Sequence, residues 1–104
     1  EYEEGTLIAE TKDDRSHIVR GYPKIKRALT LYPTIKNHFN SEIIIEEKMN
    51  GYNVRLAKFG SQLYAITRRG YICPYTTEKA REKIDIEFFN KNPAYILCCE
   101  AVGE

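Results

Sequence analysis

Lys48 is the residue with the most chemistry to offer. It stands in Glu46-Glu47-Lys48-Met49-Asn50-Gly51-Tyr52-Asn53-Val54-Arg55, between an apolar run and a tight-turn pair. A lysine at such a junction has a constrained stem, so its amine can be aimed into a cleft. An amine attacks phosphorus only when neutral, and the ordinary lysine pKa is about 10.4. Burial and neighbouring cations lower such a value, and Arg55 and Arg68 are the cations at hand. Arginines also suit phosphate oxygens, because the guanidinium is a planar, always-charged donor. Glu46, Glu47 and Glu100 would keep an adjacent amine protonated, and serve better as contacts to a base, a ribose or a metal ion. Glu100 sits in the otherwise apolar stretch Ala94 to Val102, where an acid needs a partner or a cleft. The chemistry such a set can perform is phosphoryl or nucleotidyl transfer, which depends on positioning and charge stabilisation.

Each feature also has a plainer reading. Asn50-Gly51 serves equally as a bare hairpin turn with Lys48 on a solvated edge, Glu46-Glu47 as surface charge, and Thr67-Arg68-Arg69-Gly70 as a basic turn. His17 and His38 have no acid or cysteine companions at ligand spacing and read as surface or packing residues. Tyr22, Tyr52 and Tyr71 are of the type that stacks on bases.

The elements that position these residues follow from pattern. Thr6 to Glu10 and His17 to Arg20 read as short strands around a charged loop, Lys12 to Arg15. Lys24 to Phe39 predicts short helical pieces around Pro33, with Ile25, Leu29 and Tyr32 on one face. Ile43-Ile44-Ile45 centres an expected strand, Glu42 to Lys48, buried on both faces. Asn50-Gly51 then predicts a hairpin, because both residues tolerate positive φ. Tyr52 to Phe59 alternates, with Tyr52, Val54 and Leu56 facing one way and Asn53, Arg55 and Ala57 the other. Gly60-Ser61 is a turn into a third strand, Gln62 to Thr67, which completes an antiparallel meander. Thr77 to about Asn90 predicts one helix, capped by Thr76 or Thr77, with the stripe Ala80, Ile84 and Phe88. Asn92-Pro93 ends it, and Ala94 to Val102 is a final strand. The fold class is α+β with an antiparallel sheet.

Composition sets the outer bounds. A chain of 104 residues supports one small domain and a modest core. A net charge of +1 neither demands nor excludes a nucleic-acid partner, so local Lys/Arg clusters would have to meet phosphates. Three cysteines, Cys73, Cys98 and Cys99, without a C-x-x-C pair argue against a zinc site or a disulfide framework and for a reducing, cytoplasmic setting. Neither a membrane span nor a signal peptide is visible. The start at Glu1 and the stop at Glu104 after an apolar run read as truncation at both ends.

Taken in order, these segments resemble a known superfamily. Lys48-Met49-Asn50-Gly51 is similar to motif I, K-x-[DN]-G, of the covalent nucleotidyltransferases: DNA ligases, RNA ligases and mRNA capping enzymes. Thr67-Arg68-Arg69-Gly70 resembles motif Ia, and Leu97-Cys98-Cys99-Glu100-Ala101-Val102-Gly103 resembles motif III. Asn53, five residues after the lysine, is closer to the RNA-ligase form K-x-x-G-x-N than to the DNA-ligase form. Arg20-Gly21-Tyr22-Pro23-Lys24-Ile25, Pro33 and His38-Phe39 resemble the segment that precedes motif I in archaeal, homodimeric, circularising RNA ligases.

The resemblance implies an incomplete adenylation (nucleotidyltransferase) domain. An N-terminal segment, 1–40, would lead into residues 41–104, which carry motifs I, Ia and III and stop before motifs IV and V. Lys48 would take AMP from ATP, with magnesium or manganese offsetting phosphate charge. The AMP would pass to the 5′-phosphate of single-stranded RNA, and a 3′-hydroxyl would then seal the strand. Glu46 and Glu47 fall where the family contacts adenine, and Asn53 near phosphate and ribose. Arg68 matches the arginine that contacts ribose and the donor end, and Glu100 the glutamate that supports ribose and metal. Without motifs IV and V, the 104 residues alone are expected to be weakly active or inactive. Competing expectations are a DNA ligase, a capping-type guanylyltransferase, and a non-catalytic RNA-binding β-domain that keeps the scaffold.

Overall fold

A computed structural model describes residues 3–12, 15–25 and 31–103. Two short strands, β1 (Leu7–Glu10) and β2 (Ser16–Val19), pair antiparallel with Leu7 opposite Val19 and Glu10 opposite Ser16. The expected loop between them falls partly on 13–14, outside the described residues. Helix α1 (Leu31–His38) contains Pro33 and fits the helical pieces expected there, while Leu29 of the expected apolar face lies outside the described residues.

The centre is a three-stranded antiparallel sheet. Strand β3 (Tyr52–Phe59) lies between β4 (Gln62–Thr67) and β5 (Leu97–Ala101). Phe59 pairs with Gln62, so Gly60-Ser61 is the two-residue turn that the sequence predicts, with Gly60 at φ 58°. Both faces of β3 are covered, which is why Val54, Arg55, Leu56 and Ala57 are all buried in succession. Side chains alternate across a strand. Leu56 therefore joins Leu63, Ala65, Ala80 and Phe89 on one face, and Ala57 and Phe59 join Val19 and Ile66 on the other. The β1–β2 hairpin covers this second face.

Helix α2 (Pro74–Lys83) seals the outer edge of β4. An exposed edge strand leaves unpaired backbone groups, and here they are taken in order. The Cys73 amide donates to the Ala65 carbonyl, the Ala65 amide to Thr77 Oγ1, and Arg81 Nε to the Leu63 carbonyl, at 2.9, 2.9 and 2.8 Å.

Several expectations change. The single helix is two, α2 and a short α3 (Glu87–Lys91), because Ile84 is extended and ends the first. The first helix starts at Cys73-Pro74, since proline suits the first helical position, and Thr76 and Thr77 lie inside it, buried. Phe89 rather than Phe88 enters the core.

The largest change concerns residues 42–48, which form no strand. Ile43, Ile44 and Ile45 are 42%, 82% and 84% exposed. The reason is topological. Strand β5 takes the place beside β3 that the isoleucine run was expected to fill, and α2 closes the far edge. The meander is thus β4-β3-β5, with its third strand drawn from the end of the chain.

Candidate active site

The start of β3 and the end of β5 bring two of the sequence-derived segments together. Asn53 is the register partner of Glu100, and Tyr52 that of Ala101. Directly paired residues share a face, so Asn53 and Glu100 lie side by side on the face away from α2. Gly51 has a packing reason to be glycine. A Cβ there would stand 2.1 Å from the Ala101 carbonyl oxygen and 3.1 Å from Glu100 Cγ. Its φ is not positive, so the hairpin expected from Asn50-Gly51 does not form, and the small residue serves close strand approach. Asn53 Oδ1 is buried and without a hydrogen-bond partner, whereas Glu100 is exposed. An unbonded buried amide oxygen beside an available carboxylate is a polar corner suited to hydroxyl or amino donors of a ligand.

Lys48 lies three residues before Gly51, in the irregular stretch that precedes β3, and its side chain is exposed. The expected enclosure of the amine is therefore not built by these residues, for the same reason that Ile44 and Ile45 stand bare. Glu46 and Glu47 are exposed on the same stretch. A cleft of about 560 Å³, lined by Ala9, Phe59, Tyr64 and Ile72 together with Glu10 and Lys12, lies at the Gly60 end of β3, opposite the Gly51 end.

Arg55 is placed otherwise than a nucleotide contact would be. It is 1% exposed, and its guanidinium donates to the carbonyls of Arg20 at 2.5 Å, Gly5 at 2.8 Å and Thr67 at 2.5 Å. Burial pushes its pKa below the ordinary arginine value, with Cys98 opposing that effect and Arg68 adding to it. Both of its terminal nitrogens are spent on backbone carbonyls and its Nε is buried without a hydrogen-bond partner, so neither terminal nitrogen is left to reach ATP. Arg68 is exposed in the turn after β4, and its guanidinium lies 5.5 Å from the centre of the Tyr22 ring. That stacking partner had no sequence signal beyond the residue type. Tyr52, on the α2 face, hydrogen-bonds Thr76, tying the first residue of β3 to the helix.

For a divalent cation the fit is poor among the described residues. Among the described residues no three His, Cys, Asp or Glu side chains cluster. Glu100 supplies one carboxylate, too few to hold a metal by itself.

The fold matches part of the nucleotidyltransferase domain of ATP-dependent ligases. Residues 41–104 match the family model for RNA ligase, and the chain belongs to that family. It is 50% identical over 101 residues to an uncharacterised protein of Methanocaldococcus jannaschii, covering 97% of this chain and 25% of that protein. Two solved forms of an archaeal ATP-dependent RNA ligase superpose with a TM-score of 0.86 at 45% and 46% identity, covering 98% of this chain and 27% of theirs. A protein of Aquifex aeolicus provisionally named an ATP-dependent DNA ligase superposes with a TM-score of 0.78 at 38% identity, covering 93% of this chain and 25% of that one. The chain thus spans about a quarter of the length of these relatives. No described helix is long and apolar enough to cross a membrane.

Proposed function

We propose that this chain supplies the nucleophile and part of the nucleotide pocket of an ATP-dependent RNA ligase. Lys48 Nζ attacks the α-phosphorus of ATP. A nitrogen–phosphorus bond forms, the bond to the bridging oxygen of the β-phosphate breaks, and pyrophosphate leaves while the amine gives up its proton. An RNA 5′-phosphate oxygen then takes the AMP from the lysine. A 3′-hydroxyl attacks the activated 5′-phosphate, joining the strands and releasing AMP. Asn53 and Glu100 hold the ribose side of the nucleotide, Glu46 and Glu47 the adenine side, and Arg68 the ribose and the donor end. Residues 1–40 lead into the domain and 41–104 begin it. The α-phosphate lysines, the metal-binding carboxylate and a second subunit are supplied from outside these residues. The 104 residues alone are accordingly weakly active or inactive, and three free thiols suit a cytoplasmic setting.

The observation that carries the reading is the meeting of Gly51, Asn53 and Glu100, which sets the K-x-N-G segment against the one acid of an apolar strand. The likeness to two forms of an archaeal ATP-dependent RNA ligase supports the RNA reading over the DNA one. The test offers the full-length protein 5′-phosphorylated single-stranded RNA and nicked duplex DNA, with α-labelled ATP or GTP. Sealed RNA with ATP is the expected result. Sealing of nicked DNA alone would make it a DNA ligase, and labelling by GTP a capping-type enzyme. An unlabelled protein that binds RNA, with Lys48→Ala silent, would make it a non-catalytic RNA-binding domain.

A further inference from the structure

Arg55 sits on the same face of the sheet as Asn53 and Glu100, yet its hydrogen bonds, all from the two terminal nitrogens, go to backbone carbonyls. Two of its three carbonyls, Gly5 and Arg20, belong to the N-terminal segment, and the third belongs to Thr67, the residue before Arg68. The same N-terminal segment reaches Arg68 twice more. Gly5, at φ +89°, packs so close that a Cβ would stand 2.0 Å from the Arg68 carbonyl oxygen. Tyr22, two residues beyond Arg20, lies under the Arg68 guanidinium. The peptide groups on both sides of Arg68, and its charged head, are therefore referred to one buried guanidinium and the segment it grips. Thr6 Oγ1 and the Glu3–Arg20 ion pair fasten that segment further, through the Gly21 amide at 3.0 Å and a 2.7 Å contact.

We propose that Arg55 is a positioning residue. By bonding the Gly5, Arg20 and Thr67 carbonyls it fixes Arg68, with Tyr22, in the orientation in which Arg68 meets the nucleotide or the RNA donor end. The inference rests on the role given to Arg68 under the proposed function. It also makes the β1–β2 hairpin and the turn before it part of the site. A planar guanidinium offers several N–H groups in fixed directions, and a lysine ammonium on a shorter reach cannot meet the same three acceptors.

The test is a double-mutant cycle in the full-length protein with Arg55→Lys, Arg68→Ala and both together. Lysyl-AMP formation and AMP transfer to a 5′-phosphorylated RNA are followed separately, each with KM and kcat. Lysyl-AMP on the unmutated protein is the control, and its absence would sink the proposed function itself. With the control positive, Arg55→Lys is expected to slow the step that Arg68→Ala slows, by about tenfold, and the double variant to be no slower than Arg68→Ala alone. Losses that multiply, or an Arg68→Ala protein with normal steps, overturn the proposal. Should Arg55→Lys not fold, Tyr22→Leu gives a second route, since it leaves every carbonyl bond in place. It is expected to slow that step without adding to Arg68→Ala, and an unchanged or additive result overturns the proposal equally.

Discussion

Gly51 and Ala101 touch so closely that no side chain fits between them, with an added Cβ falling 2.1 Å from the Ala101 carbonyl oxygen. This contact locks the residues after Lys48 to the strand that carries Glu100. Gly51→Ala must push the start of β3 from the end of β5. Overpacking of this kind costs about 2 kcal/mol. Thermal unfolding is expected to show a clear drop in Tm, and nucleotide transfer in the full-length protein a larger loss than the Tm explains. An unchanged Tm would mean that the two strands do not approach as described.

The break between α2 and α3 gives a paired test. Phe89 is 1% exposed and Phe88 38%. Phe89→Ala is expected to cost about 3 to 5 kcal/mol, as for other buried aromatics. Phe88→Ala, which removes ring contacts with Phe89 and Tyr95 at the surface, should cost less than half of that. Denaturant midpoints of the two variants decide it, and equal losses would restore the unbroken helix with Phe88 inward.

Acid should loosen the N-terminal segment through Glu3. The hydrogen bond from Arg20 holds the Glu3 carboxyl below its ordinary value of 4.5. A group whose pKa is lower folded than unfolded adds stability above its unfolded pKa and loses it as pH falls through the folded one. The Tm gap between the native chain and Glu3→Gln should therefore persist at neutral pH and close as pH drops below 4.5. The pair is exposed, so the gap is small. A gap that widens in acid would show that the carboxylate does not gain from Arg20.

What the sequence made legible was local. The alternation of Tyr52 to Phe59, the Gly60-Ser61 turn and the run Gln62 to Thr67 specify a hairpin without help from distant residues, and β3–β4 matches it. The isoleucines at 43–45 misled because an apolar run states only that cover is needed. It does not say that the cover lies within these residues, and here β5 holds the neighbouring place on β3. The helix starts earlier than the threonines suggest because Pro74 suits its first turn and Thr76 and Thr77 are buried inside it. Asn50-Gly51 predicts a hairpin that does not form, and the glycine there serves strand approach instead of a turn. The role of Arg55 could not be read at all, since its partners are backbone carbonyls 50, 35 and 12 residues away and any residue type supplies a carbonyl.

The central claim is that the amine of Lys48 bonds to phosphorus. The direct measurement is the intact mass of the full-length protein after incubation with ATP and magnesium, followed by peptide mapping of the adduct. One AMP on the peptide containing Lys48, absent from Lys48→Ala, is the predicted result. AMP on any other residue, or an unmodified protein that still seals RNA, would contradict it.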